Sequence, residues 1–198
     1  MARQTASQCI GPFFHHILIP SSQGRPGFAG SSLVRDGTKG ERIRIVGRIR
    51  DGNGKPVDTA MIEIWQADAE GRYRHQPDAR DNSEHDEYFS GFGRAYTDMN
   101  GQFSFETVKP GPVAGKGNAP QAPHINVTIF IQGIDAHLFT RLYFADEPEA
   151  NALDPVLSTI DEARRLTLVA IRRDTNSGTV YEFEIRMRGD GETVFFDA

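Results

Sequence analysis

One cysteine in 198 residues, Cys9, excludes an intrachain disulfide and fits a reducing cytoplasm. Long apolar runs are missing too. FFHHILIP at 13–20 is short and split by His15 and His16, so it is neither a signal peptide nor a membrane span. There is no basic run, and a net charge of −5 argues against a nucleic-acid partner. The nucleophile motif GxSxG and the phosphate loop GxxxxGK[ST] are both absent. Gly115-Lys116-Gly117 is a flexible turn and not a phosphate cradle, because no helical pattern follows it. What the chain does have is 20 glycines and 11 prolines alongside 38% hydrophobic residues, the composition of a strand-and-loop protein. Its length suits a single well-buried domain.

Residues 1–40 show no sustained period of 2 or 3.6 and read as an arm, lying along either its own domain or a neighbour. Residues 41–198 read as one domain. Ile43, Ile45 and Ile49 alternate with arginines from Arg42 onward, and DGNG at 51–54 then turns the chain. Asp51-x-Asn53-Gly54 is superficially a calcium loop, but the twelfth position, which needs a bidentate Glu, is Ile62. MIEIW at 61–65 is the next strand, and Asp98-Met99-Asn100-Gly101 the next turn. Residues 66–93 read as a polar excursion. Its His75, His85 and Asp86 could ligate a metal, although adjacent charges in a loop more often form a solvated surface. Leu138–Phe144, Thr167–Arg173 and Val180–Arg188 are further strands, and Asp154-Pro155 starts a short helix. No repeat is evident. Short strands, turn signals and long loops predict an all-β fold, a β-sandwich of two mostly antiparallel sheets with one or two short helices.

The stretch Gln102–Ile131 is strand, long Gly/Pro loop, strand. In its second strand Ile125, Val127, Ile129 and Ile131 take one face and His124, Asn126, Thr128 and Phe130 the other. A polar His-x-Asn pair opposite an aliphatic stripe points into a cleft or an interface. With histidine at 126 it would be a metal half-site; an asparagine amide is a poor transition-metal ligand.

Together with TASQCIGPF at 5–13, IEIWQADAEGRY at 62–73, GFGR at 91–94, TVKPGPV and APHIN at 107–126, TRLYFADE at 140–147 and GETVFFD at 191–197, this stretch resembles the intradiol ring-cleaving dioxygenases. The resemblance spans nearly the whole chain in order. It implies a β-sandwich in which homologous alpha and beta subunits pair and repeat in a large hetero-oligomer. It also implies Fe(III) in the beta subunit, held by two tyrosines and two histidines, where a catechol meets dioxygen and the ring opens between its hydroxyls. Carried over, the first tyrosine is Tyr73 and the first histidine His124. The second tyrosine falls on Val113, the second histidine on Asn126, and an arginine three residues before the first histidine on Gln121. The resemblance therefore implies an iron-free alpha subunit with a vestigial pocket, no metal of its own and no catalytic residue.

In the family an alpha subunit lines the beta subunit's active-site mouth with a Gly-Pro-Tyr segment and an arginine. Here those positions are Gly11, Pro12, Phe13 and Gln132, so two polar rim contacts are lost, and Cys9 replaces a threonine of the motif. Substrate and dioxygen are expected at the alpha/beta interface, with protocatechuate cleaved to 3-carboxy-cis,cis-muconate. Two other readings stay open. One is a self-sufficient metalloenzyme using Tyr73, His124 and a recruited donor such as His75 or His85. The other is a prealbumin-like β-sandwich binding module, which GRIRDGNGKPVDTAMIEIW followed by TDMNGQFSFETVKPG also resembles.

Overall fold

The computed structural model describes residues 29–74, 86–115, 117 and 119–197, with Leu18, Pro20, Gly24 and Arg25. Its strands are β1 Arg42–Arg50, β2 Ala60–Gln66, β3 Phe92–Tyr96, β4 Gln102–Val108, β5 Val113–Ala114, β6 Pro120–Gln121, β7 His124–Ile131, β8 Leu138–Phe144, β9 Val169–Thr175 and β10 Gly178–Arg186. Two short helices, α1 Pro148–Leu153 and α2 Glu162–Arg165, lie between β8 and β9.

Eight strands run β3-β2-β7-β8-β9-β10-β1-β4, with β5 and β6 forming a separate small hairpin. Two parallel pairings, β1 with β10 and β8 with β9, interrupt an otherwise antiparallel order. The second is only two residues long, Tyr143 with Val169 and Phe144 with Ala170, and it joins the halves β3-β2-β7-β8 and β9-β10-β1-β4 along one side. The expected pair of separate sheets is thus one continuous sheet folded over a main core, with a smaller cluster of Ala122, Tyr143, Leu157 and Leu168 beside it.

The alternation read from sequence is what fills that core. Ile62 and Ile64 of β2, Val127 and Ile129 of β7, Ile45 of β1 and Tyr181, Phe183 and Ile185 of β10 are all buried within it. The gap in β1's stripe, Gly47, is filled from β4: a Cβ there would lie 2.0 Å from the Phe103 ring.

β3 and β4 are the free edges, and residues 30–33 lie between them. Arg94 N donates to Gly30 O (2.9 Å) and Ser90 N to Leu33 O (3.1 Å), while Leu33 N donates to Glu106 O and Glu106 N to Ser31 O (both 2.8 Å). Exposed edge groups are thereby satisfied and the fold approaches a closed barrel. Leu33, 2% exposed, adds its side chain to the core, worth about 1.5–3 kcal/mol.

β3 is not legible in the sequence, because its first two residues close the stretch 66–93 read as a polar excursion and its Phe92-Gly93-Arg94 run breaks the alternation. The turns read at 51–54 and 98–101 share one geometry with a third at 68–71. Asp51, Asp68 and Asp98 each accept the N–H groups two and four residues on, at 2.8–3.0 Å. A positive-φ glycine follows each at the third position: Gly54, Gly71 and Gly101. Asp51 of the rejected calcium loop is therefore a turn-forming acceptor. Asp154 caps a turn as anticipated, its Oδ1 accepting from Val156 N (2.9 Å) and Leu157 N (2.8 Å). The element it starts is the 3-10 turn Leu157–Thr159, and α1 precedes it.

Candidate functional site

The polar face of β7 carries the site. Asn126 pairs with Trp65 of β2 on one side and with Arg141 of β8 on the other, so these three side chains form a row across the sheet. His124 lies one step along the same face, beside Tyr143.

Tyr73 reaches this row from the Asp68 turn. Gly71 in that turn has φ +78, and a Cβ there would lie 1.9 Å from Pro112 O. Gly111 N also donates to Asp68 O (2.9 Å), which fixes the turn to the loop leading into β5. Only glycine permits this approach. Tyr73 then stacks on Trp65, ring centroids 5.8 Å apart at 20°.

A hydrogen-bonded set results. Asn126 Nδ2 donates to Trp65 O (3.2 Å) and to the Tyr73 hydroxyl (3.1 Å), which stands 3.5 Å from His124 Nε2. His124 Nδ1 lies 2.8 Å from Ala122 O. A carbonyl only accepts, so Nδ1 carries the proton and Nε2 presents its lone pair to Tyr73. Burial, with the Arg141 charge second, lowers the His124 pKa from 6.5 to about 4, so the imidazole is neutral at physiological pH.

Beneath this set lies buried Asp154. Its Oδ2 accepts Ala122 N (2.8 Å), while Oδ1 takes the Tyr143 hydroxyl (3.2 Å) besides the two turn N–H groups. Burial pushes the Tyr143 hydroxyl pKa well up. Arg141 Nη1 donates to Gln121 Oε1 (2.8 Å) and to the Tyr143 hydroxyl (3.3 Å). The sequence marks Asp154 only as a cap and does not mark Arg141; β7–β8 pairing and the fold-back of residue 154 bring both to the site.

The remaining anticipated residues divide. Val113 pairs with Gln121 across the β5–β6 hairpin and is buried, and Gln121 joins the set through Arg141. Gln132 follows β7, six residues beyond Asn126 and so about 20 Å along the strand, outside this pocket. Asp86 uses its carboxylate on Lys39 N (2.8 Å) and Tyr88 N (2.9 Å). Gly11, Pro12, Phe13, His75 and His85 lie outside the described residues.

A family described as Dioxygenase matches residues 29–189. Over 98% of its length the chain is 42% identical to the protocatechuate 3,4-dioxygenase alpha chain of Pseudomonas putida, covering 96% of that protein. Identity to the Burkholderia cepacia alpha chain is 44%, over 98% of both chains. The chain belongs to the intradiol ring-cleaving dioxygenases. The Burkholderia cepacia protocatechuate 3,4-dioxygenase beta chain is also similar, 39% identical over 78% of this chain and 67% of its own length. The fold matches the crystal structure of 3-chlorocatechol 1,2-dioxygenase from Rhodococcus opacus 1CP, with a TM-score of 0.63 and 22% identity over 92% of this chain and 71% of that one.

Membership raises the question of ferric iron, and the residues in place do not fit it. The positions that the resemblance assigns as ligands hold a phenol, an imidazole, an aliphatic side chain and an amide. Val113 has no lone pair, and Asn126 turns its NH2 toward the Tyr73 hydroxyl. Hard ferric ion needs more anionic donors than Tyr73 alone supplies. Among the described residues no three His, Cys, Asp or Glu side chains converge, and no helix is long and apolar enough to cross a membrane.

Proposed function

We propose that this chain is the iron-free, non-catalytic alpha subunit of a cytoplasmic Fe(III)-dependent protocatechuate 3,4-dioxygenase, assembled with a homologous beta subunit into a large hetero-oligomer. The beta subunit holds the iron and cleaves protocatechuate, with dioxygen, to 3-carboxy-cis,cis-muconate. This chain helps to shape the mouth of that site through Gly11, Pro12, Phe13 and Gln132. One observation carries the reading: in the vestigial pocket of Tyr73, Val113, Gln121, His124 and Asn126 the polar groups are taken up by one another and by Trp65 O, Ala122 O and Arg141. Asn126 Nδ2 and the Tyr73 hydroxyl meet at 3.1 Å where the family places converging ligands. Full-length similarity to two alpha chains, and weaker similarity to a beta chain, supports the subunit assignment.

Iron analysis of the purified chain with a visible spectrum tests this. The expected outcome is no stoichiometric iron and no tyrosinate-to-iron charge-transfer band in the isolated chain, with both present after assembly with a beta subunit. A coloured, iron-loaded chain on its own would overturn the proposal in favour of a self-sufficient enzyme.

A further inference from the structure

We infer that Arg94 is the anchor of the N-terminal arm and that, through the arm, it sets substrate affinity at the partner's active-site mouth. The second half rests on the arm-to-mouth contact proposed above; the first rests on geometry.

Arg94 lies in β3 directly opposite Glu63 of β2 and is 8% exposed. Its Nε (2.8 Å) and Nη2 both donate to Glu63 Oε1, which fixes the guanidinium plane. The remaining Nη1 is thereby aimed at Leu18 O, 2.8 Å away. The backbone N–H of the same residue donates to Gly30 O at 2.9 Å. A single residue therefore grips the chain at 18 and again at 30. Both grips are on main-chain carbonyls, so what is fixed is the chain's position and not the identity of a side chain. A lysine could pair with Glu63, but it lacks the planar fork that serves Glu63 and Leu18 at once.

The consequence is a shorter tether. Phe13 is five residues from Leu18, so it can range at most about 18 Å from that grip. Were Leu18 released, the next grip among the described residues would be Gly30, seventeen residues from Phe13, with a reach of about 60 Å. The effective concentration of a tethered group falls roughly as the −3/2 power of tether length, about sixfold between these two lengths.

The test is Arg94→Met combined with Glu63→Met, which removes the pair without stranding a buried carboxylate. It is assembled with the beta subunit and compared with wild type, with Arg94→Lys and with a chain lacking residues 1–17. Expected results are a KM for protocatechuate about sixfold higher with kcat unchanged, a smaller rise for Arg94→Lys, and faster chymotryptic cleavage ahead of Leu18 in the free double variant. A split between KM and kcat is not what loss of fold would give. If the truncation raises KM but the double variant, melting normally, does not, the anchor inference is overturned while the proposed function stands. If the double variant does not fold, an Arg94→Lys complex with wild-type KM overturns it instead. Should the truncation itself leave KM unchanged, the arm-to-mouth contact fails and this inference with it.

Discussion

Lowering the pH from about 8 to about 4 should destabilise the chain through His124, and the structure sets both the size of the effect and its window. The imidazole is 3% exposed, its Nδ1–H is committed to Ala122 O, and its Nε2 faces the Tyr73 hydroxyl. Protonation would place a buried cation near Arg141, opposed among the described residues only by Asp154, which other donors already engage. The folded pKa of about 4 lies below the ordinary 6.5. Between those values the unfolded chain binds the extra proton, so the stability contribution is fully present above about pH 6.5. It is lost as the pH falls toward 4 and below. At about 1.4 kcal/mol per pH unit, roughly 2 kcal/mol should be gone by pH 5 and about 3 kcal/mol in all. Urea unfolding at a series of pH values, with unchanged m, measures the loss. His124→Gln should keep a donor for Ala122 O and flatten that part of the profile. Equal pH dependence in His124→Gln and wild type, or an imidazole titrating near 6.5 by NMR, would refute the reasoning.

A second, lower acid step belongs to Asp146. Despite the opposing effect of burial, hydrogen bonds from Lys109, Tyr181 and Arg172 hold its pKa at about 2, against an ordinary 3.8. Its contribution, present above pH 3.8, should fade as the pH falls through 2, and Asp146→Asn should remove that step from an acid-unfolding curve. Gly71→Ala should cost at least about 2 kcal/mol in urea unfolding, because φ is positive and the new methyl meets Pro112 O; a loss under 0.5 kcal/mol would mean the Asp68 turn moves freely. In the assembled enzyme, Phe13→Tyr with Gln132→Arg should lower KM for protocatechuate and leave catechol almost unchanged, since an arginine–carboxylate bond is worth about 1.5–3 kcal/mol against about 1 for a neutral donor. Equal changes for both substrates would show that these side chains do not see the carboxylate.

The periodicity of the chain settled much of this. Alternation in β1, β7 and β10 placed the core stripes, and the two faces of β7 are legible in the sequence alone because side chains repeat every second residue. Motif strings marked Tyr73, His124, Val113 and Asn126 as a set, and their chemistry alone argued against ferric iron. What the linear chain could not express was pairing. Arg141 matters because β8 sets it opposite Asn126, Asp154 because its turn returns beneath Ala122, and Arg94 because β2 presents Glu63 to it. Each depends on neighbours 15 to 32 residues away in sequence, where no local period carries information. Closure of the β3–β4 gap by residues 30–33 is of the same kind: a segment without periodicity becomes ordered because two sheet edges have backbone groups that must be satisfied.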